Sequence, residues 1–88
     1  MTYFVYMLIG KKGSKYNSYI GYTKNLVNRL NKHNSNKGAK FTKGNKWKII
    51  FKKKFLKKNK AMVYEYYLKK NKKLRNSIKL RFLKKCFQ

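Results

Sequence analysis

The chain reads as one small α+β domain whose elements run in the order β-β-α-β-α-α. Three observations lead there. Apolar and aromatic residues gather in three strand-length runs, at 2–9, 18–22 and 47–56. Three other stretches, 26–34, 60–70 and 74–87, space their apolar residues at helical intervals. Glycine, asparagine and lysine fill the segments between. With 88 residues and one cysteine, the chain is a single domain over 1–88 with no internal disulfide.

Thr2 to Ile9 (TYFVYMLI) is too short for a confident helix, has no breaker, and reads as a mostly buried strand. Gly10 to Asn17 holds two glycines and small polar residues, the composition of a connecting loop. Ser18 to Tyr22 is the second strand, antiparallel to the first. Thr23 or Asn25 caps the next helix, in which Leu26, Val27 and Leu30 form the core-facing stripe. Residues 35–46 form a basic loop with Phe41 as its lone large apolar residue. Trp47, Ile49 and Phe51 alternate in the third strand, and Lys52, Lys53 and Lys54 guard its end. Asn59 caps a second helix in which Ala61 to Leu68 is apolar or tyrosine except at Glu65, so the helix is expected to be buried. Leu74, Ile78 and Phe82, with Leu80, Leu83 and Phe87, mark a third amphipathic helix.

Charge dominates the composition. Twenty-six Lys and Arg face one acid, Glu65, for a net +25. A polyanion, most simply nucleic acid, is the expected partner. Lysine and asparagine enrichment also fits an AT-rich genome, but codon bias does not readily remove nearly every Asp and Glu. Membrane-surface binding is the weaker rival, because the lysines are spread along the chain. No apolar run is long enough to span a bilayer and no signal peptide is visible, so an intracellular protein that binds no membrane is expected. One acid, one His and one Cys exclude a paired-carboxylate glycosidase, a Cys/His zinc site within the chain, and a carboxylate-bridged two-metal centre.

The remaining chemistry falls on few residues. Arg29 and His33 lie four apart on one helical face, and Tyr19 leads into the same corner beside Gly21. Phenol, guanidinium and imidazole together handle anions; a guanidinium suits a phosphate better than an ammonium does. Tyr6 and Tyr19 are either core residues with hydroxyls at the edge or phenols that act on a phosphodiester. In the second case neighbouring cations are expected to favour the phenolate. His33 is either a helix-surface residue or a proton relay beside Arg29. Glu65 either pairs with a lysine or holds a divalent cation with water and phosphate oxygens.

These residues, in this order, resemble the GIY-YIG nuclease family. The first motif, a strand ending in Gly-Ile-Tyr, corresponds to Phe4-Val5-Tyr6, with Phe4 in place of the glycine. The second stands intact as Tyr19-Ile20-Gly21. An arginine eight residues after that glycine is Arg29, and a later helical glutamate is Glu65. Gly21 to Asn34 and Gly38-Ala39-Lys40-Phe41-Thr42 match the short stand-alone bacterial branch and the scaffold-partnered, structure-specific nuclease of eukaryotes. The resemblance implies a small three-stranded antiparallel sheet flanked by helices. It also implies a DNA endonuclease using a single Mg²⁺ or Mn²⁺ held by Glu65, with Tyr6, Tyr19, Arg29 and His33 as the catalytic set. Lys24, Lys40, Lys43 and Asn76 are the expected nucleic-acid contacts, Asn76 as the equivalent of an asparagine some members carry after the glutamate. DNA, including branched or flapped forms, is the implied partner. Repair, recombination or mobile-element processing is the implied setting. The alternatives are a module of the same fold that binds nucleic acid without cutting it, and a ribosome-associated basic protein.

Overall fold

The computed structural model describes residues 2–12, 15–35 and 46–86. The Gly38-to-Thr42 motif, with Lys40 and Lys43, lies outside the described residues, as does Phe87. The element order is β-β-α-β-α-α: β1 (Tyr3–Lys12), β2 (Lys15–Thr23), α1 (Leu26–Asn34), β3 (Trp47–Phe55), α2 (Lys58–Lys70) and α3 (Lys72–Cys86). The strands form one antiparallel sheet in the order β2-β1-β3.

β1 sits in the middle and is covered on both faces, which explains its unbroken apolar run. Val5 and Met7 join Ile20, Ala61 and Leu68 on the face packed by α2 and α3. Tyr6 and Leu8 join Trp47 on the other face, under Leu26 and Leu30 of α1. Val5, Tyr6, Met7 and Leu8 are all essentially inaccessible to solvent. Each such large apolar side chain stabilises the fold by about 1.5–3 kcal/mol.

Several local expectations shift. The Gly10–Asn17 segment is largely strand, because β1–β2 pairing continues out to Lys12 opposite Lys15. Backbone hydrogen bonds carry this exposed hairpin end, so its polar side chains hid it from a hydrophobic pattern. In β3 the alternation breaks. Leu8 faces Ile49 while Met7 faces Phe51, so Ile50 is the extra residue of a bulge. Trp47 and Ile49 therefore pack on the α1 side, and Phe51 and Phe55 on the α2–α3 side.

The helices depart in a similar way. Asn25 is the α1 cap: its side chain accepts from the Asn28 N–H at 3.1 Å. Thr23 supports it, its hydroxyl accepting from the Asn25 N–H at 3.2 Å. Val27 is exposed, because the inward stripe of α1 is Leu26, Leu30 and His33, at the i, i+4, i+7 spacing. Helix α2 starts at Lys58, so Asn59 lies inside its first turn and accepts from the Lys60 N–H rather than capping. It buries only Ala61 and Leu68, while Met62, Val63, Tyr66 and Tyr67 are exposed. One helix against one sheet covers one stripe, and no described element covers the other side of α2. On α3, Leu74 and Ile78 reach the core and Leu80 does not.

Candidate active site

The site forms where α1, packed along β3, holds Arg29 and His33 against Tyr6 of β1 and Tyr19 of β2. Tyr6 lies directly opposite Gly21, and Leu8 opposite Tyr19, so Tyr6 and Tyr19 share one face of the sheet. The Tyr6 ring leans across Gly21. A Cβ at that position would lie 2.6 Å from the Tyr6 hydroxyl and 3.1 Å from the Tyr19 ring. The motif's glycine is thus required by space at this point, not by backbone angle.

Helix α1 brings two groups down onto the phenols. His33 is completely buried, and its Nε2 lies 3.0 Å from the Tyr6 hydroxyl. Arg29 donates from Nε to the same hydroxyl oxygen at 3.3 Å. With the imidazole proton on Nδ1, the Tyr6 O–H donates to Nε2 while its oxygen accepts from Arg29. The Tyr19 ring packs against His33, with centroids 4.9 Å apart. Tyr19 also helps to hold the Arg29 guanidinium in its charged form.

The electrostatics follow from burial. The Tyr6 phenol is raised above its ordinary value, first by burial, against which the Arg29 hydrogen bond pulls downward. The charges of Tyr19 and Glu65 add to the rise. At this hydroxyl, loss of water outweighs the Arg29 cation. Burial and then the Arg29 charge lower the His33 imidazole, so it is neutral at pH 7. Arg29 is held above its usual range, chiefly by its hydrogen bond to Tyr6.

Asn34, the residue after His33, anchors the helix end. Its side-chain oxygen accepts from the Trp47 N–H at 2.6 Å, and its amide donates to the Trp47 carbonyl at 3.3 Å. The side chain takes the place of a neighbouring strand at the start of β3.

Glu65 reaches this neighbourhood from α2. Its side chain is mostly covered and lies 3.4 Å from the Lys69 ammonium, one turn on. Its charge acts on Tyr6, and Lys69 lines an open groove with Ser18, Tyr19, Ile20 and Arg75. No cluster of three or more His, Cys, Asp or Glu occurs among the described residues. A lone carboxylate fits a hard divalent cation whose other ligands are water and phosphate oxygens.

The sequence reading did not anticipate the roles of Gly21, Asn34, Lys69 and Arg75. Gly21 and Asn34 stood inside the matched motifs without a stated role, Lys69 carried the i+4 spacing from Glu65, and Arg75 carried no local signal. Of the other expected contacts, Lys24 sits beyond β2 with its ammonium 5.7 Å from the Tyr3 ring centroid. Asn76 lies on the exposed side of α3 with Lys73, Arg81 and Lys84.

Tyr6, Tyr19, Arg29 and His33 thus gather on the α1 side of a three-stranded antiparallel sheet, and Glu65 stands on α2. The chain belongs to the GIY-YIG catalytic domain family, a family of nucleases, whose match covers residues 2–79. The UPF0213 protein of Pediococcus pentosaceus is 41% identical over 68 residues, which is 76% of this chain and 68% of that protein. The UPF0213 protein OB0043 of Oceanobacillus iheyensis is 46% identical over 52 residues, and the match spans 60% of its length. The solution NMR structure of the UPF0213 protein BH0048 from Bacillus halodurans superposes with a TM-score of 0.52 at 35% identity. That match covers 91% of this chain and 85% of the other. Among the described residues, no helix is long and apolar enough to cross a membrane.

Proposed function

We propose that this domain is a divalent-metal-dependent endonuclease that hydrolyses DNA phosphodiester bonds. The observation that carries the reading is the Arg29–Tyr6–His33 hydrogen-bond chain, closed over Gly21. A merely structural tyrosine does not need a buried neutral imidazole as its acceptor.

The proton path follows from that chain. Tyr6 is a neutral phenol aimed at a neutral Nε2. In the free protein the Tyr6 hydroxyl is sealed beneath Arg29, so the bound phosphate must first draw the guanidinium off it; the freed oxygen then takes the attacking water's proton and passes its own to His33, which becomes imidazolium. No free phenolate is needed. Tyr19 flanks the phosphate from the other side, and Arg29 stabilises the negative charge that grows on it. Glu65 would hold one Mg²⁺ or Mn²⁺, which when bound supplies Lewis-acid stabilisation of the phosphate and the leaving oxygen. Lys24, Lys40, Lys43 and Asn76 are assigned to the DNA backbone, a sequence-independent role suited to a chain of net charge +25. Repair, recombination or mobile-element processing is the setting in which such a nuclease acts.

The test is cleavage of plasmid, flapped, forked and four-way-junction DNA with Mg²⁺ or Mn²⁺. Cleavage that disappears in Glu65→Gln supports the proposal. Tight binding with every substrate left uncut under both metals replaces it with the non-catalytic binding module.

A further inference from the structure

The groove beside the carboxylate holds cations that the Tyr6 chain does not use. Ser18, Tyr19 and Ile20 of β2 form one wall, with Lys69 of α2 and Arg75 of α3 opposite, around about 420 Å³. Two cationic side chains, a hydroxyl and a phenol around one opening match the oxygens of a phosphate. A guanidinium nitrogen of Arg75 donates to the Lys69 carbonyl, tying the start of α3 to the last turn of α2. Lys69 also faces Glu65, Nζ to Oε1 at 3.4 Å. The lysine side chain is 52% exposed and the glutamate 19%, so the ammonium is the partner with room to move.

We propose that Lys69 is a latch on Glu65 that exchanges the carboxylate for a phosphate in the Ser18–Tyr19–Arg75 groove when nucleic acid binds. This rests on the reading of Glu65 as the metal ligand, and it adds an order of binding. In the free protein a divalent cation must displace an ammonium and enter the field of a chain carrying +25. Bound phosphates reverse both conditions: they neutralise that field, draw Lys69 away, and contribute oxygen ligands. Lys69 is a positioning residue, acting on the cation through Glu65.

Mn²⁺ binding to the whole protein, read by electron paramagnetic resonance of the free ion, tests this without reference to turnover. Titrations run alone and with a short duplex oligonucleotide whose integrity is checked by gel, and the Mn²⁺ taken up by the same duplex without protein is subtracted. Wild type alone binds Mn²⁺ weakly, and the duplex tightens binding by about tenfold or more. Lys69→Gln binds Mn²⁺ about fivefold tighter than wild type without DNA, and the duplex then adds less. Lys70→Gln removes the same charge from a side chain that lies over Tyr66, 5.4 Å from its ring centroid, and behaves as wild type. If Lys69→Gln and Lys70→Gln are indistinguishable while Glu65→Gln abolishes binding, the latch is overturned and the metal ligand stands. If Glu65→Gln binds Mn²⁺ as wild type does with duplex present, the metal ligand falls and the latch with it.

Discussion

Tyr6 and His33 stand 27 positions apart in the chain and share a 3.0 Å hydrogen bond inside the protein. Both side chains are buried, and Arg29 supplies the third member of the chain through the same phenolic oxygen. The pair is poised by neutrality. Burial keeps the proton on the phenol and keeps it off the imidazole.

Removing the hydroxyl should separate chemistry from binding. Tyr6→Phe keeps the ring that packs with Leu8 and Trp47 but leaves His33 without its hydroxyl partner. Stability should fall by about 1–2 kcal/mol. DNA affinity should stay near wild type while cleavage is lost. Thermal melts, gel-shift assays and nicking assays on one preparation check all three, and wild-type nicking would remove Tyr6 from the proton path.

Acid should destabilise the fold through His33. Its folded-state value is depressed, so its contribution is fully present above the ordinary histidine value of about 6.5. That contribution is lost as pH falls from there through the folded value, as the unfolded state takes up the proton first. Tyr6 acts at the other end. Its raised value gives stability present below about pH 10 and lost above it. Melting temperature measured from pH 5 to 8 should drop on the acid side for wild type and stay flatter for His33→Gln. Equal slopes would contradict the assignment.

Gly21 should tolerate no side chain. In Gly21→Ala the new methyl group meets the Tyr6 hydroxyl and the Tyr19 ring. Overpacking of this kind costs about 1–3 kcal/mol and forces the phenol from its place between Arg29 and His33. Tm should fall and cleavage per folded molecule should fall with it. An alanine variant with wild-type activity would show that the phenol position is not critical.

Asn34 should prove to be a structural clamp. Asn34→Ala loses both hydrogen bonds to the Trp47 backbone, worth about 1–2 kcal/mol together. Trp47 is the chain's one tryptophan, so its fluorescence reports the change directly. Unaltered emission and an unaltered melt would mean that the clamp contributes nothing.

Salt should weaken DNA binding steeply, because every neutralised phosphate releases a counterion. Affinity measured between 50 and 200 mM salt (a span over which several phosphate contacts cost about 10³-fold or more) provides the check. A flat response would argue against a polyanion partner.

The parts of the molecule visible in the chain are those whose signals are local. Tyr19-Ile20-Gly21, the four-residue step from Arg29 to His33, and the lone acid at Glu65 mark the candidate residues in the sequence itself. Strand and helix order followed from apolar spacing, which depends on neighbours a few positions away. Contacts between distant segments decided the rest. Nothing near Ile50 announces the bulge; it is set by how β3 aligns along β1. The exposed side of α2 reads as core because its tyrosines and Val63 would suit a second covering layer, and the described fold places only one. The protonation of Tyr6 depends on packing in the same way. Counting charges along the chain finds cations everywhere, but only packing shows that Tyr6 is removed from water, and desolvation outweighs the single arginine that touches it.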